Sequence, residues 1–142
     1  MRNAIFRSRI LLGYSLITIL LPTIVQSSYS DKGITVDASV ENQVVSFKIN
    51  NSNNSAAVYG FIITLHDDKH YWKIAGTPID WTAGNIKYQA IMWMTKDIPI
   101  QQGTAEDGFA IEVKQHGKYN VGWGVMDEKL QPIAWGTMII EV

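Results

Sequence analysis

Cysteine is absent from the 142-residue chain, and arginine occurs only at positions 2, 7 and 9. Without cysteine there is no disulfide, no thiol nucleophile, no lipid-modified cysteine and no thiolate metal ligand. Without arginine beyond position 9, the rest of the chain lacks the planar forks that grip phosphates and base edges. Beyond residue 30, nine lysines face thirteen acids, a net charge of −4. That mildly acidic balance excludes nucleic acid as an expected partner. Catalytic signatures are missing as well. The chain has no Gly-x-Ser-x-Gly, no phosphate-cradling loop, no Gly-x-Gly-x-x-Gly after a strand, and no nucleophile beside a histidine. The acid pairs Asp67/Asp68 and Glu106/Asp107 fall in turn-like stretches, where carboxylates are normally solvated. The expectation is a protein that is not an enzyme.

The N-terminus does carry a signal. Arg2, Arg7 and Arg9 precede Ile10–Val25, which is almost wholly apolar, Pro22 breaks that run, and Gln26–Ser30 is small and polar. A charged end, a short greasy helix and an extended cleavable stretch are the parts of a secretory signal. Small residues at Val25/Ser27 or Ser28/Ser30 offer two cuts. The alternative is an uncleaved anchor, which needs about 20 apolar residues. Residues 1–30 are therefore read as signal peptide or membrane anchor, and 31–142 as one exported domain, secreted or held at the cell surface or in the periplasm. Contact with a membrane would run only through the N-terminal segment. About 110 residues can build a core without disulfides.

Past the leader, apolar residues alternate with period two. Val45, Phe47 and Ile49 share one phase, as do Phe61, Ile63 and Leu65, then Phe109, Ile111 and Val113, then Tyr119, Val121, Trp123 and Val125. The last run sets Ala134, Gly136, Met138, Ile140 and Val142 against Trp135, Thr137 and Ile139. Alternation with β-branched and aromatic enrichment is the strand signal. Strands are expected near 33–39, 43–50, 57–66, 70–75, 86–95, 108–113, 117–126 and 131–142. Between them lie turn-forming stretches, among them Asn50–Ser55, Asp67-Asp68-Lys69, Ala83-Gly84-Asn85 and Asp127-Glu128-Lys129. Ile98–Asp107 reads as a long polar crossover. Seven to eight short strands and no helix after the leader argue an all-β, antiparallel, two-sheet sandwich.

Gly117-Lys118-Tyr119-Asn120-Val121-Gly122-Trp123 resembles the Gly-x-Tyr-x-Val start of the penultimate strand in immunoglobulin-like and fibronectin-type domains. The resemblance implies an immunoglobulin-like sandwich over residues 33–142, with Tyr119 as a tyrosine corner. It is one of architecture: the Cys…Trp…Cys framework of antibody domains is absent.

Candidate sites follow from residue type. Two of the three histidines frame His66-Asp67-Asp68-Lys69-His70. On a helix this would approach a zinc-protease motif, but the β-rich flank Phe61–Thr64 argues against that. As a hairpin, His66 and His70 would face each other across the strand ends, with Asp67 or Asp68 as an oxygen ligand for copper or zinc. In an immunoglobulin-like topology His116 would join them at one pole; otherwise the stretch is a solvated turn. Met92 and Met94 flank Trp93 and point to one face. They are either core filling or soft ligands for Cu(I). Tyr71, Trp72 and Trp81 lie near turns, where exposed rings could stack on a sugar or grip a partner. Trp93, Trp123 and Trp135 are expected between the sheets or beside an edge. Asn50 and Asn53 open two Asn-x-Ser sequons in a polar loop.

Three functions stay open. One is a non-catalytic binding module for a protein or cell-surface component, without cofactor. The others are a copper- or zinc-binding secreted protein and a carbohydrate-binding module.

Overall fold

The computed structural model describes residues 25–65, 72–86 and 90–142. Ten strands follow in order: β1 Val25–Asp31, β2 Ile34–Glu41, β3 Val44–Asn51, β4 Gly60–Leu65, β5 Trp72–Gly76, β6 Trp81–Ile86, β7 Ala90–Thr95, β8 Thr104–Val113, β9 Lys118–Met126 and β10 Pro132–Glu141. They form two antiparallel five-stranded sheets, β1-β2-β3-β8-β5 and β10-β9-β4-β7-β6. The fold is a β-sandwich.

The inward phase of each strand builds the core. Phe47 from β3, Phe109 from β8, Phe61 from β4 and Trp93 from β7 are all at most 1% exposed. The Phe61 ring stacks on Trp93 at 5.5 Å and meets Phe47 and Phe109 edge-on at 5.6 and 5.4 Å. Offset and edge-to-face contacts of this kind add about 0.5–1.5 kcal/mol each beyond burial. The Trp93 indole N–H also donates to the Gly76 carbonyl at 3.0 Å, tying the second sheet to the edge of the first.

Two differences from the expected strand set bear on function. The first is β1, of which all but Asp31 falls inside the stretch read as leader. It pairs with β2 from Val25↔Val40 to Asp31↔Ile34 through the two-residue turn Lys32-Gly33, both at positive φ. Such turns match the twist of a tight hairpin. The Tyr29 hydroxyl, on one sheet edge, donates to the Ile139 carbonyl at 3.1 Å and accepts from the Ile139 N–H at 3.2 Å. Asp31 accepts from the Trp135 N–H at 3.2 Å. Side chains of β1 thus occupy backbone groups of the β10 edge that would otherwise invite another strand.

The second difference is at 66–71. Leu65 ends β4 in one sheet, and Trp72 opens β5 in the other. The expected hairpin joining them is therefore replaced by a crossing between sheets. β6 is the other unexpected strand: it contains Ala83-Gly84-Asn85, read from sequence as a turn. Ile98–Asp107 is a connection only in its first half, because β8 begins at Thr104.

Candidate functional site

The two outer faces of the sandwich differ in kind. On the first sheet the outward phase is polar: Ser28 and Ser30 on β1, Thr35, Asp37 and Ser39 on β2, Ser46, Lys48 and Asn50 on β3. Asp37 accepts from the Ser28 hydroxyl at 2.6 Å and from the Asn50 amide at 2.9 Å. A shallow groove of about 830 Å³ runs over this face, lined by Ser28, Asp37, Ser39, Ser46, Lys48 and Asp107 among others. That is the chemistry of a solvated sheet.

The second sheet presents something else. Registers across it align Trp135, Gly124, Ile62, Met92 and Gly84 in one outward row. Beside it run Met126, Gly60, Met94 and Thr82, and on the other side Thr137, Gly122, Thr64, Ala90 and Ile86. Ile139 and Asn120 extend the face along β10 and β9. No charged residue interrupts these rows between the Lys118/Glu141 pair at one end and the Asp127–Lys129 turn at the other. Trp135 and Ile139 are 57% and 59% exposed, and Ile86 and Met94 are exposed as well. Five strands at about 4.8 Å spacing and five residues deep give a face on the order of 400 Å². Outward glycines on β9 (Gly122 and Gly124), β4 (Gly60) and β6 (Gly84) keep its floor low. Glycine weakens a strand interior, and where it recurs another backbone or ligand commonly approaches closely.

The expected sites are distributed as follows. His66, Asp67, Asp68, His70 and Tyr71 lie outside the described residues. The strands that flank this stretch, β4 and β5, lie in different sheets and do not pair with each other. His116 is exposed on the β8–β9 turn. Among the described residues, no three His, Cys, Asp or Glu side chains converge to hold a metal ion. Trp81, expected at the surface, is instead 5% exposed and meets Phe109 edge-on at 5.0 Å. The correction has a simple cause: Trp81 pairs with Thr95 on the core side of β6, a strand the sequence had not marked. Trp72 is half-buried against the core. The Tyr119 hydroxyl donates to the Gln115 carbonyl at 2.6 Å, the bond that defines a tyrosine corner. Of the sequon asparagines, Asn53 is exposed, whereas Asn50 spends its amide on Asp37.

Met92 and Met94 do share a face, but it is the outer one, with Trp93 between them in the core. Trp135, expected between the sheets or beside an edge, is exposed on the edge strand β10. Its sequence signal was the second phase of β10, where solvated strands normally carry charge and this one carries Trp135, Thr137 and Ile139.

A sugar site commonly unites a ring to stack on with a fan of hydrogen-bonding groups. Here the two are on opposite faces. The polar groove has no exposed ring, and the Trp135 face has few polar side chains. One face of the Trp135 ring is also covered by the Lys32 ammonium, 4.1 Å from the ring centroid.

No family model matches the chain, and no curated protein matches it. Among solved structures, the chain is similar to a cohesin module of a family 33 glycoside hydrolase from Clostridium perfringens, at 7% identity and a TM-score of 0.43, covering 85% of this chain and 96% of that one. It is also similar to the chitin-binding domain of Chi18aC from Streptomyces coelicolor, at 12% identity and a TM-score of 0.36, covering 70% and 88%. Likeness at this level carries no statement about a ligand.

Proposed function

We propose that this protein is an exported, non-catalytic binding module that docks a protein partner on the outer face of the β10-β9-β4-β7-β6 sheet. The observation that supports this reading is the contrast between the two outer faces, one polar and solvated, the other largely apolar with no charged residue on its rows. An exposed apolar patch rimmed by charge is the mark of an interaction surface. Its composition of Trp, Met and Ile suits the desolvated centre of an interface. An area on the order of 400 Å² is about half of the roughly 800 Å² that each partner contributes to a standard interface. The charged ends of the strands would supply the rim. Glycan binding has less support, because stacking and hydrogen-bonding groups are separated.

The test is retrieval of a partner from native extract with three variants. Wild type and Asp37→Lys, altered on the polar face, should retrieve the same protein. Ile62→Lys and Trp135→Ala should lose it. Loss with Asp37→Lys and retention with Ile62→Lys would move the site to the other face.

Export carries its own prediction. A cut after Ser30 would release Tyr29 and uncover the β10 edge. A cut after Ser27 would keep Ser28 on Asp37 and Tyr29 on Ile139. N-terminal sequencing of the exported protein should therefore begin at Ser28. A start at Asp31 would contradict the structural role given to β1.

A further inference from the structure

Two methionine methyls meet over one glycine on the outer sheet face, and a third methionine stands opposite that glycine on the neighbouring strand. Gly60 on β4 pairs with Met94 of β7 on one side and with Met126 of β9 on the other, and Met92 sits one outward step along β7. A Cβ placed on Gly60 would lie 3.1 Å from the Met126 methyl and 3.4 Å from the Met92 methyl. Both side chains therefore fold over the glycine from opposite strands, and Gly60 is buried although it points outward. Of the four methionines in the described residues, three lie on this face, Met94 directly opposite Gly60 in register; the fourth, Met138, is 1% exposed in the core.

From this placement we propose that Met92, Met94 and Met126 form a binding site for a soft monovalent d¹⁰ cation, Cu(I) or its analogue Ag(I). Thioether sulfur is neutral, polarizable and stays unprotonated at any physiological pH. It selects soft ions and discriminates against Zn(II), Mg(II) and Ca(II), which take nitrogen or oxygen donors. Three such donors from two strands, with no carboxylate or imidazole on the rows between them, exclude the harder ions. The missing side chain at Gly60 leaves room for long methionines from either side to approach one point. Met94 is 37% exposed, so the site opens to solvent on that side and an ion can enter without unfolding. An apolar cover alone needs no sulfur: leucine has similar volume and a comparable β-sheet fit. The site stands independently of a protein partner on the same face.

The experiment is native mass spectrometry of the exported protein with one equivalent of Ag(I), together with methionine methyl NMR. One retained ion is expected, with shifts at the Met92, Met94 and Met126 methyls and none at Met138. Substituting all three with leucine should abolish retention, and a His66→Ala/His70→Ala/His116→Ala variant should keep it. Absence of a retained ion would overturn the proposal. So would binding that survives the triple leucine variant, or that disappears with the histidines. Retrieval of a partner by Trp135 variants reads the docking face separately, so the two ideas can fail independently.

Discussion

Replacing Trp93 with alanine is expected to lower stability by about 4 kcal/mol, the range seen when a large aromatic is cut out of a packed core. The ring is fully buried and stacks on Phe61, and its edge contact to Phe109 is at 5.7 Å. Its N–H is also the donor that reaches across to the Gly76 carbonyl on β5. Alanine would leave a cavity between two phenylalanines and a carbonyl without its partner. Against a total of roughly 5–15 kcal/mol for a domain of this kind, most of the margin would go. Trp93→Phe separates the two contributions. It keeps most of the ring and removes the hydrogen bond, and should cost about 1–2 kcal/mol. Urea unfolding followed by circular dichroism reads both. Equal, small losses would mean that the aromatic cluster is not what holds the sheets together.

Asn51 should be the most sensitive polar residue. It is completely buried, and its amide donates to the Ala56 and Ile100 carbonyls at 3.0 and 3.2 Å. Its own oxygen accepts from the Asn54 N–H at 3.0 Å. One side chain thus joins the end of β3, the 52–57 loop and the Val58↔Ile100 bridge between strands. Asn51→Ala removes all three bonds; the Ile100 carbonyl keeps the Val58 N–H at 3.0 Å, but the Ala56 carbonyl and the Asn54 N–H lose the partner that Asn51 supplied, at a cost of about 2–3 kcal/mol in sum. Asn50→Ala, one residue earlier, removes only the outward bond to Asp37 and should cost less than about 1 kcal/mol. The pair is informative because the residues are neighbours of identical type. Similar melting temperatures for the two variants would contradict the burial and bonding assigned to Asn51.

The core was legible in the sequence because burial in a sandwich imposes period two on most strands, and Phe47, Phe61 and Val121 obey it, although β8 buries Phe109, Ala110 and Ile111 in succession. The sheet assignment of neighbouring strands was less legible. Nothing local in the 66–71 stretch distinguishes a hairpin from a crossing between sheets, since both need polar, turn-forming residues. β1 was hidden for a different reason. Val25–Ser30 is as good a cleavage region as it is a strand, and what makes it a strand is its ladder to β2, with Tyr29 reaching a residue 110 positions away. β6 was masked by Ala83-Gly84-Asn85, whose turn propensity is overridden by pairing with β7.

The candidate face was written in the sequence as an absence. On β2 and β3 the outward phase carries Asp37, Lys48 and serines, as water requires. On β4, β7, β9 and β10 that phase carries Ile62, Met92, Met94, Gly124 and Trp135. Attention to the buried phase alone passes over this difference, because either pattern satisfies strand periodicity. Register was needed to bring four strands' outward residues into one surface.

The account's central claim is that this surface is covered when the protein is at work. Hydroxyl-radical footprinting tests it whatever the partner is, by comparing the protein in native extract with the purified chain. Trp135 and Ile139 should be labelled strongly in isolation and protected in the extract, while exposed Leu130, beyond the β9–β10 rows, should be labelled alike in both. Equal labelling of Trp135 and Ile139 in the two samples would contradict the claim.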